Sequence, residues 1–442
     1  MTRATEGVHA VDLAVEPFGW LLLAIFIIGY YVIAAEEKYE INKAKPALFT
    51  GTFMFMLLGG YYAFNGLDFG SFDNEIAHLI LEIAEIFFFL FVAMTFIEAL
   101  IERNVFDALK EKLLNAGYSY KKLFWVTGLL AFFISPVADN LTTALILSTV
   151  LFTIEKDNKG FLVPAAINVV VAANAGGAWS PFGDITTLMA WAANKGTFVD
   201  FLFLFPSAIL GWTVTAFLLS KFVPDGQPAK IEGAEPVHIH KGGKVIIFLG
   251  VFTIVCAVLG KQLMHLPPMW GMLFGLSLLQ LYAFTLKKYH DHDIMIYKSV
   301  SKIENDTLLF FFGILAAVGA LHFAGFLAHA VELYTMFDPT YVNIGVGFLS
   351  AIVDNVPVMS AVLKASPDIP LGQWMLVTLT AGVGGSLISF GSAAGVGVMG
   401  KLHGIYTFGT HMKLSWTILV GYFVSIAVWY TQYEILGLYI KH

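Results

Sequence analysis

A chain of 442 residues with 58% hydrophobic and only 13% charged residues, at a mean hydropathy of +0.76, cannot cover itself with an ordinary charged surface and reads as an integral membrane protein. The formal net charge of -7 comes without a basic stripe, so no nucleic acid is expected as a partner, and the single cysteine, Cys256, rules out an internal disulfide and thiolate metal ligation. Spans of about 20 apolar residues, in place of the short alternating segments of an outer-membrane barrel, predict an all-α polytopic membrane protein with the lipid bilayer as its surroundings.

In chain order, the first seventeen residues are polar, end in Glu16-Pro17 and lack the ordered regions of a secretory signal. Apolar spans follow at about 18–35, 46–64 and 76–100, then a segment at about 121–154 carrying Asp139-Asn140, then spans at about 161–194 and 198–223. A polar linker, 224–244, separates these from a second series at about 245–262, 268–286 and 307–326, a segment at about 341–364 carrying Asp354-Asn355, and spans at about 372–400 and 413–437. Pro46 matches Pro268, the Asp-Asn pairs match each other, and Gly176-Gly177 with Phe182-Gly183 matches Gly384-Gly385 with Phe390-Gly391. A shared order of polar interruptions predicts an internal repeat, 1–223 and 245–442. Between the third span and the first Asp-Asn segment, 102–115 places Val105, Phe106, Leu109 and Leu113 at helical spacing opposite lysines, as an interfacial helix would. Its counterpart falls at about 327–336.

The distribution of Lys and Arg decides how the Asp-Asn segments meet the membrane, because cytoplasmic loops carry the excess. If both are re-entrant hairpins, each half has five crossings and the halves are inverted. Of the 25 lysines and arginines, only Arg3, Lys195, Lys261, Lys364 and Lys441 then fall on the outer side. If both segments crossed fully, the charges would divide almost evenly. The expected architecture is therefore two inverted repeats of five transmembrane helices plus one re-entrant hairpin each, with broken helices at the midplane. Both termini lie outside and the linker is cytoplasmic.

A charge near the bilayer centre costs at least about 2.5 kcal/mol and marks a functional site. Irregular backbone at that depth survives only where protein buries it or it lines a cavity, and transporter sites form where such breaks converge. Four stretches qualify: 135–143, 174–187, 350–357 and 382–397. Pro136, Pro181 and Pro357 are expected to stop helices there, and the paired glycines to permit unwinding and close approach. The polar residues at the breaks are Asp139, Asn140, Thr142, Asn174, Ser180, Asp184, Thr186 and Thr187 in the first half, and Ser350, Asp354, Asn355, Ser386, Ser389 and Ser392 in the second. All offer hard oxygen, which suits a small hard cation and not zinc or copper. A helix N-terminus attracts anions, and a built-in carboxylate there turns the preference toward a cation. The bland role for each Asp is a helix cap. Burial disfavours an ionised carboxylate and a bound cation favours it, so proton and metal ion compete for one group.

The segments SPVADNLTTALIL, NAGGAWSPFGDITT, DNVPV and GGSLISFGSAAGVGVMG closely resemble the motifs of the NhaD family of sodium/proton antiporters, within the ion transporter superfamily, and the resemblance covers nearly the whole chain. It implies export of Na+, often also Li+, in exchange for H+, favoured at alkaline pH, by a homodimer with a scaffold and a transport domain in the bacterial inner membrane. It carries these roles onto Asp139, Asn140, Asn174, Asp184, Thr186, Thr187, Ser350, Asp354, Asn355, Ser389 and Ser392. No cofactor is expected, and Na+, Li+ and H+ enter only as transported ions. The first Asp-Asn pair is expected to carry the proton coupling.

Glu85, in IAEIFFFLF, is a further candidate for proton coupling, and His78, at the rim of the same span, for pH sensing. Three competing readings remain. An organic-anion carrier on the same scaffold would have to accept carboxylates in its site and lacks an intramembrane arginine. An intramembrane aspartyl protease would need motifs that are missing around Gly183-Asp184, so no enzyme is expected. A passive channel is the third.

Overall fold

The computed structural model describes residues 13–39, 41–228, 237–290 and 305–438. Among them every regular element is helical. The main helices are α1 (Pro17–Ala34), α2 (Ala44–Asn65), α3 (Phe69–Glu102), α4 (Val105–Asn115), α5 (Tyr120–Ala138), α6 (Asn140–Ile154), α7 (Lys159–Gly177), α8 (Ile185–Ala192) and α9 (Phe205–Ser220). They continue with α10 (Gly243–Met264), α11 (Pro268–His290), α12 (Asn305–Phe323), α13 (Ala328–Met336), α14 (Pro339–Val353), α15 (Asn355–Ala365), α16 (Leu371–Gly384), α17 (Ala393–Lys401) and α18 (Ser415–Tyr430). Helix α4 covers the segment expected to lie at the interface, and α13 the segment expected as its counterpart. The chain ends and residues 229–236 of the linker, on which the expected orientation partly rests, lie outside the described residues.

Local chemistry sets the ends. Pro17 opens α1, where its missing N–H would have had no helical partner. Ser119 caps α5 by accepting from the Lys122 N–H at 3.3 Å, and α2 stops at Gly66, whose φ of 61° suits a residue without Cβ. Nine helices among the described residues are long and apolar enough to cross a membrane, and α5 is one of them. In water, an exterior carrying Trp20, Ile28, Phe49, Phe64, Leu281 and Phe284 would be an aggregation surface; in a bilayer it is the lipid contact. Burial then sorts the helices: 22% of the most apolar window of α10 is buried against 94% of that of α7. Helix α7 is an interior helix, and its small residues let neighbours close on it.

The chain forms two compact units, and neither follows the halves of the sequence. One comprises the described residues of Met1–Leu90, Glu304–Asp338 and Ser360–Asp368. Its core packs Leu22, Met54, Leu58, Tyr62, Phe72 and Phe323, with α2 lying close along α12. That approach depends on Gly51 and Gly313, since a Cβ on either would stand 2.3 Å from the backbone of the other helix. The second unit comprises the described residues of Phe91–Ile303, Pro339–Met359 and Ile369–His442. In it α5 packs on α7, α14 on α16, and α6 on α17. Two of the passages from one unit to the other fall inside helices, within α3 and within α15.

Two sequence expectations need correction. Pro136 does not stop its helix: it lies inside α5, which runs on to Ala138. Its missing N–H leaves the Phe132 carbonyl without the usual helical donor, and Gly176 of α7 packs directly against that oxygen. Pro357 likewise lies inside α15, in the first turn, where an N–H would be unpaired anyway. The breaks are also shorter than expected. Helix α7 continues through Gly176 and Gly177, so only 178–184 is irregular; α16 continues through Gly384, followed by a 3-10 turn, Gly385–Leu387, with α17 starting at Ala393. These glycines serve close approach and not unwinding. A Cβ on Gly176 would sit 2.3 Å from the Phe132 carbonyl oxygen, and one on Gly384 would sit 2.3 Å from that of Gly347. Gly176→Ala is therefore expected to lower stability by about 1–3 kcal/mol, the usual cost of overpacking. Thermal unfolding in detergent checks this, with Gly60→Ala, whose added Cβ meets nothing within 4 Å, expected to be neutral or slightly stabilising.

Candidate functional site

Each Asp-Asn pair is a one-residue interruption between two helices. Asp139 separates α5 from α6 with φ 56° and ψ 163°, and Asp354 separates α14 from α15 with φ 85°. Positive φ at a residue with a side chain costs on the order of 1–3 kcal/mol and persists only where its surroundings enforce it. Serine hydroxyls upstream do part of the enforcing: Ser135 donates to the Ala173 carbonyl at 2.6 Å, and Ser350 to the Ala381 carbonyl at 2.7 Å. The two arms are thus tied in the same way to α7 and α16. Asp139 then acts as a cap. Its carboxylate accepts from the Thr142 N–H and from the Thr142 hydroxyl, both at 2.8 Å.

The other end of the site is built at the breaks after α7 and α16. Asp184 caps α8, accepting from the Thr186 N–H at 3.1 Å, and Ser392 caps α17, accepting from the Gly395 N–H at 3.3 Å. Their backbones are nearly superimposable, with φ/ψ of -148°/148° and -148°/152°. Thr187 donates to the carbonyls of Ser180 and Asp184 at 2.8 and 2.7 Å, and Ser180 donates to the Pro136 carbonyl at 3.1 Å, so both hold the shape of the first break.

These elements bring Asp184, and not Asp139, to the centre. Its two carboxylate oxygens accept from Asn140 Nδ2 at 3.1 Å and from Asn355 Nδ2 at 3.0 and 3.2 Å. Asn174 extends the network: its Oδ1 accepts from Asn140 Nδ2 at 3.0 Å, and its Nδ2 donates to the hydroxyls of Ser386 at 2.7 Å and Ser392 at 2.9 Å. All six side chains are buried. Ser389 Oγ and Thr143 Oγ1 are buried with no hydrogen-bond partner among the described residues, and Gly382 of α16 faces the Asp184 carboxylate, where an added Cβ would stand 3.6 Å from Oδ2. Asp354 is buried nearby, and its charge and that of Asp139 both act on Asp184. Of the two further candidates, Glu85 is half-buried in α3 and His78 is exposed on it.

Four helices begin at this network: α6 behind Asp139, α8 behind Asp184, α15 behind Asp354 and α17 behind Ser392. Each N-terminus is equivalent to about half a positive charge. Four of them would make an anion site, but three aspartates at the same ends outweigh them. The balance is about one negative charge, which suits a monovalent cation bound by carboxylate, hydroxyl and amide oxygen.

Sequence reasoning overlooked two supports. His411 is buried, with Nε2 3.0 Å from the Ser386 carbonyl and Nδ1 2.8 Å from the Tyr406 hydroxyl; a carbonyl only accepts, so Nε2 donates and Nδ1 accepts from the tyrosine O–H. It thereby steadies the turn that carries Ser386. Lys261, at the end of α10, donates to the carbonyls of Trp191 and Ala192, the last of α8, and so neutralises the negative end of the helix that Asp184 opens. Lys261 is 70 residues from Trp191, and no local pattern announces the contact.

Apolar helices with lipid-facing exteriors around a buried polar network at helix breaks define a multi-pass membrane protein of the broken-helix transporter class. A family model described as a citrate transporter, CitMHS, matches residues 21–382. The Na(+)/H(+) antiporter NhaD of Vibrio cholerae is 42% identical, over 96% of this chain and 94% of its own length; that of Alkalimonas amylolytica is also 42% identical, over 95% and 91%. Sodium/proton antiporter 1 of Arabidopsis thaliana is 30% identical, over 92% of this chain and 71% of its own length. The chain belongs to the NhaD family, which is a family of transporters and not of enzymes.

Proposed function

We propose that the protein exchanges cytoplasmic Na+, and also Li+, for external H+ by alternating access across a bacterial inner membrane, with cation and proton competing for Asp184. The observation that carries this reading is the buried Asp184 carboxylate, held by amides from both Asp-Asn segments where four helices begin. With Asp184 ionised, a half-turn of the Asn140 or Asn355 amide about Cβ–Cγ exchanges the donated N–H for an amide oxygen facing the cation. With Asp184 protonated, its O–H needs an acceptor, which the same rotation supplies. Ser386, Ser389 and Ser392 add hydroxyl oxygen. Occupation by cation or by proton leaves the buried network near neutral, and the empty ionised site is the costly state. That penalty couples the two ions and opposes uncoupled leak.

The expected topology belongs to the same reading: two inverted repeats, 1–223 and 245–442, with hairpins at about 121–154 and 341–364, both termini outside, and assembly as a homodimer. The matched geometry of the halves supports the repeat, from the Ser135 and Ser350 bonds to the caps at Asp184 and Ser392.

The description of the matching family model favours a second reading, a Na+-coupled carrier of an organic anion or oxyanion. Inside-out vesicles with a preformed acid-inside gradient separate the two. NaCl or LiCl is expected to dissipate the gradient between pH 7 and 9, with choline citrate inert. No response to either cation would overturn the antiporter reading, and citrate accumulation driven by Na+ would establish the rival.

A further inference from the structure

Helix α15 has two polar ends. At its start the Asn355 amide reaches Asp184, and nine residues later Lys364 Nζ lies 2.6 Å from Glu82 Oε2 of α3. The side chains of this ion pair are only 12% and 33% exposed. A lysine so buried is costly unless paired, and removal of one partner strands the other. Between the two ends Val356, Val358, Met359 and Val362 are buried, so about 14 Å of helix behaves as a rod. Glu82 and Lys364 belong to the same unit, where they line a cavity of about 80 Å³ with Glu75, His78 and His322. A cavity of that size admits water, so the pair can open without leaving dry charges.

We propose that the Lys364–Glu82 ion pair is a positioning element of transport: by fixing the far end of α15 it sets where the Asn355 amide stands at Asp184. Neither residue touches the transported ion. The inference rests on Na+/H+ exchange at Asp184 for its transport readout and has a second readout that does not. Breaking the pair lets the rod tilt, which loosens Asn355 and weakens cation binding more than it slows turnover.

The test uses the full chain in inside-out vesicles, with Na+ titrated at fixed pH for Lys364→Ala, Glu82→Gln, Lys364→Arg and the swapped double variant Lys364→Glu with Glu82→Lys. The single breaks are expected to raise the half-saturating Na+ concentration about tenfold with maximal rates within about twofold of the parent, the pattern of lost binding. Lys364→Arg is expected to stay within about twofold, and the swap to recover most of the loss. In parallel, hydrogen exchange of the purified variants in detergent is expected to speed up at residues 355–359 in the single breaks and not in Lys364→Arg. Unchanged half-saturation, a loss confined to maximal rate, failure of the swap, or unchanged exchange at 355–359 would each overturn the proposal. An unmodified protein without any Na+ response sinks the antiporter reading instead, and hydrogen exchange then decides this one alone.

Discussion

Asp184→Asn is expected to abolish Na+-driven proton movement, by at least about 100-fold or roughly 2.7 kcal/mol, while leaving the protein inserted and monodisperse. An asparagine can still cap α8, because its side-chain oxygen accepts from the Thr186 N–H as the carboxylate does. It can neither ionise to balance a cation nor carry a proton across. The helix N-termini around it are then less compensated, and the cation preference falls with them. Asp139→Asn in the same vesicles is the informative comparison. Asp139 spends both carboxylate oxygens on Thr142 and is only half-buried, so its substitution is expected to weaken exchange without abolishing it. Full loss in Asp139→Asn beside retained exchange in Asp184→Asn would reverse the assignment of the two carboxylates.

Asn174→Ala is expected to lose Na+ affinity and stability together. Asn174 makes three of the bonds in the network, one to Asn140 and two to the serines of the opposite break. Its removal leaves the buried Ser386 and Ser392 hydroxyls and the Asn140 amide each one partner short, at about 1–3 kcal/mol for each group that finds no replacement. Asn168, two turns earlier on α7, provides the control. It is equally buried and bonds the Phe124 carbonyl and the Trp212 indole. Asn168→Ala is expected to lower the unfolding temperature alike but to leave half-saturating Na+ where it was. If both variants shift Na+ dependence equally, the Asn174 effect is general loosening of α7. If neither does, the network around Ser386 and Ser392 is structural alone.

Much of the architecture was legible because the bilayer imposes a simple rule. Twenty apolar residues or so are needed to cross it, and the polar interruptions at Asp139, Asp184, Asp354 and Ser392 therefore stood out against that background. The helix caps at Asp139, Asp184 and Ser392 follow from residue chemistry too, since Asp and Ser accept from N–H groups that a helix start leaves unpaired. Proline misled, because a proline in the sequence tells only that an N–H is missing. Whether the helix ends there depends on whether a neighbour makes the loss tolerable, and at Pro136 the packing of Gly176 against the freed carbonyl does so.

By itself, then, the sequence determined that the chain crosses the membrane as helices and that hard oxygen donors gather where those helices are interrupted. These properties are carried by composition, spacing and local hydrogen-bonding chemistry, all readable within a few residues. Only the tertiary structure decided which carboxylate is the hub. Asn140 and Asn355 lie 44 and 171 residues from Asp184 in the chain, and direction of approach, not residue type, makes Asp184 their shared acceptor and leaves Asp139 a cap. The supports behind the site, His411 on the Ser386 turn and Lys261 at the end of α8, were hidden for the same reason: a backbone carbonyl is present at every residue, and only folding shows which ones are left needing a donor.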